Sequence, residues 1–294
     1  MKHLYDRTAE DLGNIVHLEH VNVTIPDQQC ATLFYVTGLG LTRDPYLMTG
    51  TTNMWVNVGR SQFHLPRGNP QVLRGHIGLV LPEREALVQR LATVRQHLIG
   101  TRFTFSEHSL YVEATCPWGN RIRCYEPQER FGRVQLGMPY VEFEVNAGMA
   151  DRIAHFYRAI LQAPATVDED DLGRSARISV GTDQDLVFRE TDRPLPPYDG
   201  HHIQVYIADF SGPHRRLVEK GLITEESDQH QYRFQDLIDL NTGHRLFSVE
   251  HEIRSLRHPL YARPLVNRNP ELTPLNYVPE HESLSWSIPP LGWR

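Results

Sequence analysis

Leu18-Glu19-His20-Val21-Asn22-Val23-Thr24 alternates apolar and polar residues and is rich in β-branched side chains, which predicts a strand with one face in a core. Pro26 and Asp27 follow as a helix start. The apolar run through Leu33, Phe34, Tyr35 and Val36 then stops at Gly38-Leu39-Gly40. A short strand at 41–44 and strands over 53–58 and 62–65, with Gly59-Arg60-Ser61 as the turn between them, complete one β-α-β-β-β unit.

The same order returns three times. A second unit opens at Gly75-His76-Ile77-Gly78-Leu79-Val80, carries a helix over 84–98, and has strands over 109–115 and 121–125. A third opens at Tyr140-Val141-Glu142-Phe143-Glu144-Val145, with His155-Phe156-Tyr157 on its helix and strands over 177–180 and 185–189. A fourth opens at His201-His202-Ile203-Gln204-Val205, with a helix over 212–219 and strands over 232–237 and 245–249. Spacing supports a repeat: His20 to Phe34 and Glu142 to Phe156 are both 14 residues, and His20 to His76 is 56 against 60 from Glu142 to His202. The expected division is two domains of two units each, 1–130 and 138–255. A proline-rich extended arm over 256–294 follows, whose Trp286 and Trp293 are expected to pack on the body.

Composition sets the outer limits. The chain has 294 residues, 40% of them hydrophobic, enough for real cores. A net charge of −6 argues against nucleic acid or an anionic membrane surface as the main partner. No apolar stretch reaches membrane-spanning length and the N-terminus lacks a signal-peptide core, so a cytoplasmic location is expected. Cys30, Cys116 and Cys124 are few and unpaired in pattern, as in a reduced compartment. The 16 histidines are the unusual feature, because several fall inside apolar strand patterns where a charged form is costly.

Phe34-Tyr35 with Gly38-Leu39-Gly40-Leu41, and Pro117-Trp118-Gly119-Asn120-Arg121-Ile122, set in four such units, resemble the vicinal oxygen chelate superfamily. That group includes glyoxalase I, extradiol ring-cleaving dioxygenases, methylmalonyl-CoA epimerase and drug-binding resistance proteins. The resemblance covers roughly residues 16–255. It implies an α+β fold of four tandem βαβββ modules forming two curved half-barrel domains, with metal ligands on the first and last strands of a module. Carried over by position, the first-strand sites are His20, His76, Glu142 and His202, and the last-strand site of the first module is His64. In the third module it falls near Val187. Metal-dependent relatives carry a glutamate four residues after a turn glycine, and that count lands on Arg123 and Phe247; Glu250 lies seven residues after Gly243.

Two ligand sets follow. If modules one and two share a cup, His20, His64 and His76 form a three-imidazole site, with Arg123 as a fork for a substrate carboxylate or enolate oxygen. If modules one and four share it, the set is His20 and His202 with His64, and with Glu250 as carboxylate, and the His201-His202 doublet resembles one in ring-cleaving enzymes. His201 is then a substrate-binding candidate, and His230, Tyr232 and Arg233 are acid–base and orienting candidates. A solvent-exposed polar turn over 225–229 is the plainer reading of that region. The resemblance implies a divalent metal, Fe(II) favoured and Mn, Zn or Ni as alternatives, and an enzyme acting on a small substrate with vicinal oxygens. Dioxygenase and lyase–isomerase chemistry both fit. The competing expectation is a metal-free protein that sequesters a small organic ligand. The family leaves a homodimer possible.

Overall fold

A computed structural model describes residues 5–47 and 52–267. The element order is βαβββ four times over. The first module comprises β1 (Ile15–Asn22), α1 (Gln28–Ala31, continuing as wider turns over Thr32–Gly38), β2 (Thr42–Arg43), β3 (Asn53–Val58) and β4 (Ser61–Pro66). The second has β5 (Gly75–Val80), α2 (Arg84–Val94), β6 (Thr104–Glu107), β7 (Val112–Thr115) and β8 (Arg121–Tyr125). The third has β9 (Gly137–Asn146), α3 (Ala150–Phe156, extended over Tyr157–Leu161), β10 (Ala165–Asp170), β11 (Gly173–Ser179) and β12 (Asp185–Thr191). The fourth has β13 (His202–Ile207), α4 (Ser211–Glu219), β14 (Ile223–Asp228), β15 (Gln231–Ile238) and β16 (Arg245–Ser255).

Local chemistry explains most of these boundaries. The Asp27 carboxylate caps α1 by accepting the Cys30 amide at 2.6 Å, as the Pro-Asp signal predicts. Gly59 turns β3 into β4 at φ +61°, where a side chain would meet the Leu136 carbonyl oxygen at 2.1 Å. The segment over 225–229, read from sequence as a polar turn, is instead mostly part of the edge strand β14. Its charged side chains point to solvent and blunt an exposed sheet edge. The strands β6 and β10 are further polar edge strands that alternation alone does not disclose.

Among the described residues sixteen strands form two open eight-stranded sheets, each drawing strands from both halves of the chain. One runs β14-β15-β16-β13-β1-β4-β3-β2 and joins modules one and four. The other runs β10-β11-β12-β9-β5-β8-β7-β6 and joins modules two and three. The joins are antiparallel pairings of first strands, β1 with β13 and β5 with β9. Within each module the first and last strands are parallel neighbours. Each half of the chain thus gives one module to each sheet.

Between the sheets lies a shared apolar core that includes Phe34, Phe63, Phe143, Phe156, Phe188 and Phe234, all fully buried. Gln184 bridges the two layers. Its Nε2 donates to the Leu18 and Met138 carbonyls at 3.0 and 3.1 Å, and its Oε1 accepts the Leu18 amide at 3.0 Å. His251 is a neutral core histidine: Nδ1 donates to the Val249 carbonyl at 2.8 Å, and Nε2 accepts from the Tyr157 hydroxyl at 2.6 Å. All three cysteines are free. No helix among the described residues is long and apolar enough to cross a membrane.

The first part of the expected arm returns to module one. The Arg263 guanidinium meets the buried Asp44 carboxylate at 2.6 Å, and Asn267 exchanges two hydrogen bonds with the Gly59 backbone, both at 2.9 Å. The expected packing of Trp286 and Trp293 lies outside the described residues.

Candidate metal centre

The joining of modules one and four decides which histidines meet. On β1, a register shift between Leu18 and His20 marks a bulge, and Glu19 and His20 both reach the cup face. Strand β4 presents His64 between the core residues Phe63 and Leu65, and β13 presents His202 beside the core residue Ile203. The ring centroids lie 5.6 Å apart for His20 and His64, 5.7 Å for His20 and His202, and 6.4 Å for His64 and His202. One nitrogen from each ring falls within 4.8 Å of the others, so the three could hold a metal ion.

The surroundings of His20 and His64 favour lone pairs over protons. Burial holds His20 well below the ordinary histidine pKa, and burial with the neighbouring His20 and His202 takes His64 down to about 2. The Glu19 carboxylate accepts from His20 Nδ1 at 2.7 Å, which leaves Nε2 buried without a hydrogen-bond partner. Asn53 Oδ1 accepts from His64 Nε2 at 2.8 Å, which leaves Nδ1 as that ring's lone-pair nitrogen. His202 Nε2 is likewise buried and unpartnered. Trp55 stacks on His64 with centroids 3.9 Å apart and meets His20 edge-on at 5.0 Å, forming an aromatic wall.

Register places a fourth group. His64 stands level with Asn22, two residues beyond His20, in the parallel β1–β4 pair. In the β13–β16 pair the residue level with Gln204, two beyond His202, is Glu252. Glu252 Oε2 lies 3.5 Å from His202 Nε2, and the side chain is almost fully buried. Desolvation opposes its ionisation, but His202, His20 and Arg254 outweigh it and hold the carboxyl well below the ordinary glutamate range. Glu250, the carboxylate suggested by sequence, also faces this side but is more exposed, with Oε2 3.5 Å from His202 Nδ1. The count from Gly243 misses Glu252 because the β15–β16 turn is long and β16 runs on to Ser255, six residues past the expected strand end.

Solved structures with a similar fold include a Bacillus subtilis protein provisionally named a dioxygenase, at 17% identity over 82% of this chain and 85% of that one, with a TM-score of 0.56. Glyoxalase I from Zea mays matches at 11% identity over 81% of this chain and 92% of that one, with a TM-score of 0.57. The fold is that of the vicinal oxygen chelate superfamily. No protein-family model matches the sequence, and no curated protein is significantly similar to it.

The cup of modules one and four holds His20 and His64 on the first and last strands of one module, and His202 and Glu252 at the same register positions of the other. A metal fits this donor set: the two orphaned Nε2 atoms point to a missing partner, and Asn22 Oδ1 and both polar atoms of Gln204 are also buried and unsatisfied. His76 does not join them. It lies on β5 in the other sheet, with Nε2 3.0 Å from the Tyr140 hydroxyl. Local spacing equates His76 with His20 but carries no record of which first strands pair.

The remaining candidates separate by face. Arg233 enters the first cup, 2.7 Å from Glu250 and 2.6 Å from Glu252. Tyr232, its neighbour, points to the opposite face and donates to the Phe210 carbonyl at 3.3 Å. His230 sits at the β14–β15 turn, where its carbonyl accepts the Ser255 amide at 2.9 Å. His201 faces the core, stacked on Phe143 and bound to Asp199 at 2.6 Å, away from the cup that holds His202. Arg123 belongs to the cup of the second sheet, with its Nε donating to Glu113 at 3.0 Å.

Proposed function

We propose that the cup of modules one and four is the active site of a metal-dependent enzyme acting on a small substrate with two adjacent oxygens. The observation that carries this reading is the convergence of three imidazoles with two buried, unpartnered Nε2 atoms. Imidazole ligands suit Fe(II), Zn, Ni or Mn, and Fe(II) is the first choice for dioxygenase-type chemistry, with lyase–isomerase chemistry the alternative. Such an ion would supply Lewis acidity toward paired substrate oxygens. The chain itself supplies orientation and polarity. Glu19 and Asn53 fix the His20 and His64 rings, Trp55 limits water access, and Arg233 holds Glu250 and Glu252 in place beside His202.

The test is anaerobic reconstitution of chelator-treated protein with Fe(II), Mn(II), Zn(II) and Ni(II), followed by oxygen uptake on a catechol panel and isomerisation of hemithioacetals. One bound ion per chain and turnover in either assay are expected. Substoichiometric binding of all four metals would sink the reading.

A second reading rests on a different observation. Arg233 and Arg254 already pair with the Glu252 carboxylate, as in a cup that grips an organic ligand without a metal. Ligand binding that survives complete metal removal would favour it.

A further inference from the structure

The cup of the second sheet is built on the same four positions, with different chemistry. Gly78, two residues beyond His76, stands level with Arg123 in the β5–β8 pair, and Glu144, two beyond Glu142, stands level with Arg189 in the β9–β12 pair. The positions held by His20, His64, His202 and Glu252 in the first cup are therefore held by His76, Arg123, Glu142 and Arg189 in the second. Two ligand positions have become fixed cations, which makes this cup hostile to a metal ion.

It is not filled in. A cavity of about 190 Å³ opens there, lined by His76, Arg121, Arg123, Glu142, Arg189 and Arg193 among others. At roughly 30 Å³ per water in the liquid, that is space for a small molecule. The acidic groups of the lining are committed. Glu142 pairs with Arg189 at 3.3 Å, Glu144 accepts from Arg121 and Arg193 at 3.0 and 2.7 Å, and Glu190 accepts the Ala150 amide at 2.8 Å. The guanidinium groups are not all spent. Arg123 donates through Nε alone, to Glu113, and Arg121 and Arg193 each keep Nη1 without a hydrogen bond to the described residues. His76 and the hydroxyls of Tyr140 and Tyr125 form a polar chain, with contacts of 3.0 and 2.9 Å.

We propose that this second cup binds a small oxyanion, a carboxylate or a phosphate, through the free guanidinium nitrogens of Arg123, Arg121 and Arg193. Planar guanidinium forks match both anions, and the partial burial of Arg121 and Arg123 strengthens their charge-assisted bonds beyond what a surface arginine provides. This site is independent of the metal reading of the first cup. It divides the duplicated fold into one cup for cation chemistry and one for anion recognition.

The test is calorimetric titration of the full-length, chelator-treated chain at low salt with succinate and with inorganic phosphate. Binding of at least one probe with a Kd below about 1 mM is expected, and the probe that binds says whether the natural ligand carries carboxylate or phosphate. Arg123→Gln should weaken binding at least tenfold. Arg193→Gln, at a side chain 70% exposed and harmless to folding, should weaken it several-fold. His64→Ala, in the other cup, should leave it unchanged. Absence of binding by both probes would overturn the proposal, and so would affinities that neither arginine substitution alters or that His64→Ala reduces equally.

Discussion

Glu252 occupies in module four the position that His64 occupies in module one, each level with the residue two beyond the first-strand histidine of its module. The two side chains therefore reach one cup from symmetry-related strands. Glu252 is the more deeply buried and lies between Arg233 and Arg254.

That placement predicts an asymmetry between two neighbouring glutamates. Glu252→Gln takes from the Arg254 side chain, only 8% exposed, the shorter of its two carboxylate contacts, leaving Glu19 at 3.5 Å, and should cost about 2 kcal/mol or more. Glu250→Gln, at a more exposed site beside Arg233 and His202, should cost less than about 1 kcal/mol. Urea denaturation of the chelator-treated variants gives both numbers, and equal losses would contradict the placement.

Metal stoichiometry separates the two possible module pairings. His202→Ala should abolish loading, as should His20→Ala and His64→Ala, because the three nitrogens converge. His76→Ala, on the other sheet, should keep one ion per chain. Atomic emission after dialysis distinguishes the outcomes, and loss of the ion in His76→Ala would argue for a different cup.

One of the bridges between the sheets is the Gln184 side chain. Gln184→Ala would take the acceptor from the buried Leu18 amide and a donor from the Met138 carbonyl, while the Leu18 carbonyl keeps the Ser61 hydroxyl at 2.9 Å, and each buried group left unpaired costs about 1–3 kcal/mol. A loss of about 2–4 kcal/mol is expected in urea melts. A loss below about 0.5 kcal/mol would mean that water replaces the amide.

Acid should destabilise the protein through its buried histidines. Burial, helped by Arg123, Arg121 and Arg189, lowers the His76 pKa to about 3, against about 6.5 in an unfolded chain. Between those values the unfolded state binds the extra proton, so stability is fully present above about pH 6.5 and is lost as the pH falls toward 3. The urea midpoint should drop between pH 7 and pH 4, and His76→Gln should show a shallower drop. A steeper or unchanged slope in the variant would remove His76 as a contributor.

The repeat was legible in the sequence because each module signals itself locally. Alternation in 18–24, the Asp27 cap, the stop at Gly38-Leu39-Gly40 and the Gly59 turn are all short-range chemistry, and they recur at nearly constant spacing. His20 and His64 were legible for the same reason, since both lie in one module on parallel neighbouring strands. The partner module was not. Pairing β1 with β13 rather than β5 joins residues nearly 190 positions apart, and no local pattern encodes which edges meet. The choice between His76 and His202 therefore belonged to tertiary structure alone. So did the carboxylate: a glycine count cannot see the length of the β15–β16 turn, while the sheet register places Glu252 and not Phe247 beside the histidines. The sequence by itself determined four modules and a histidine-rich face; long-range strand pairing decided that His20, His64 and His202 share one cup and that Arg123 and Arg189 line the other.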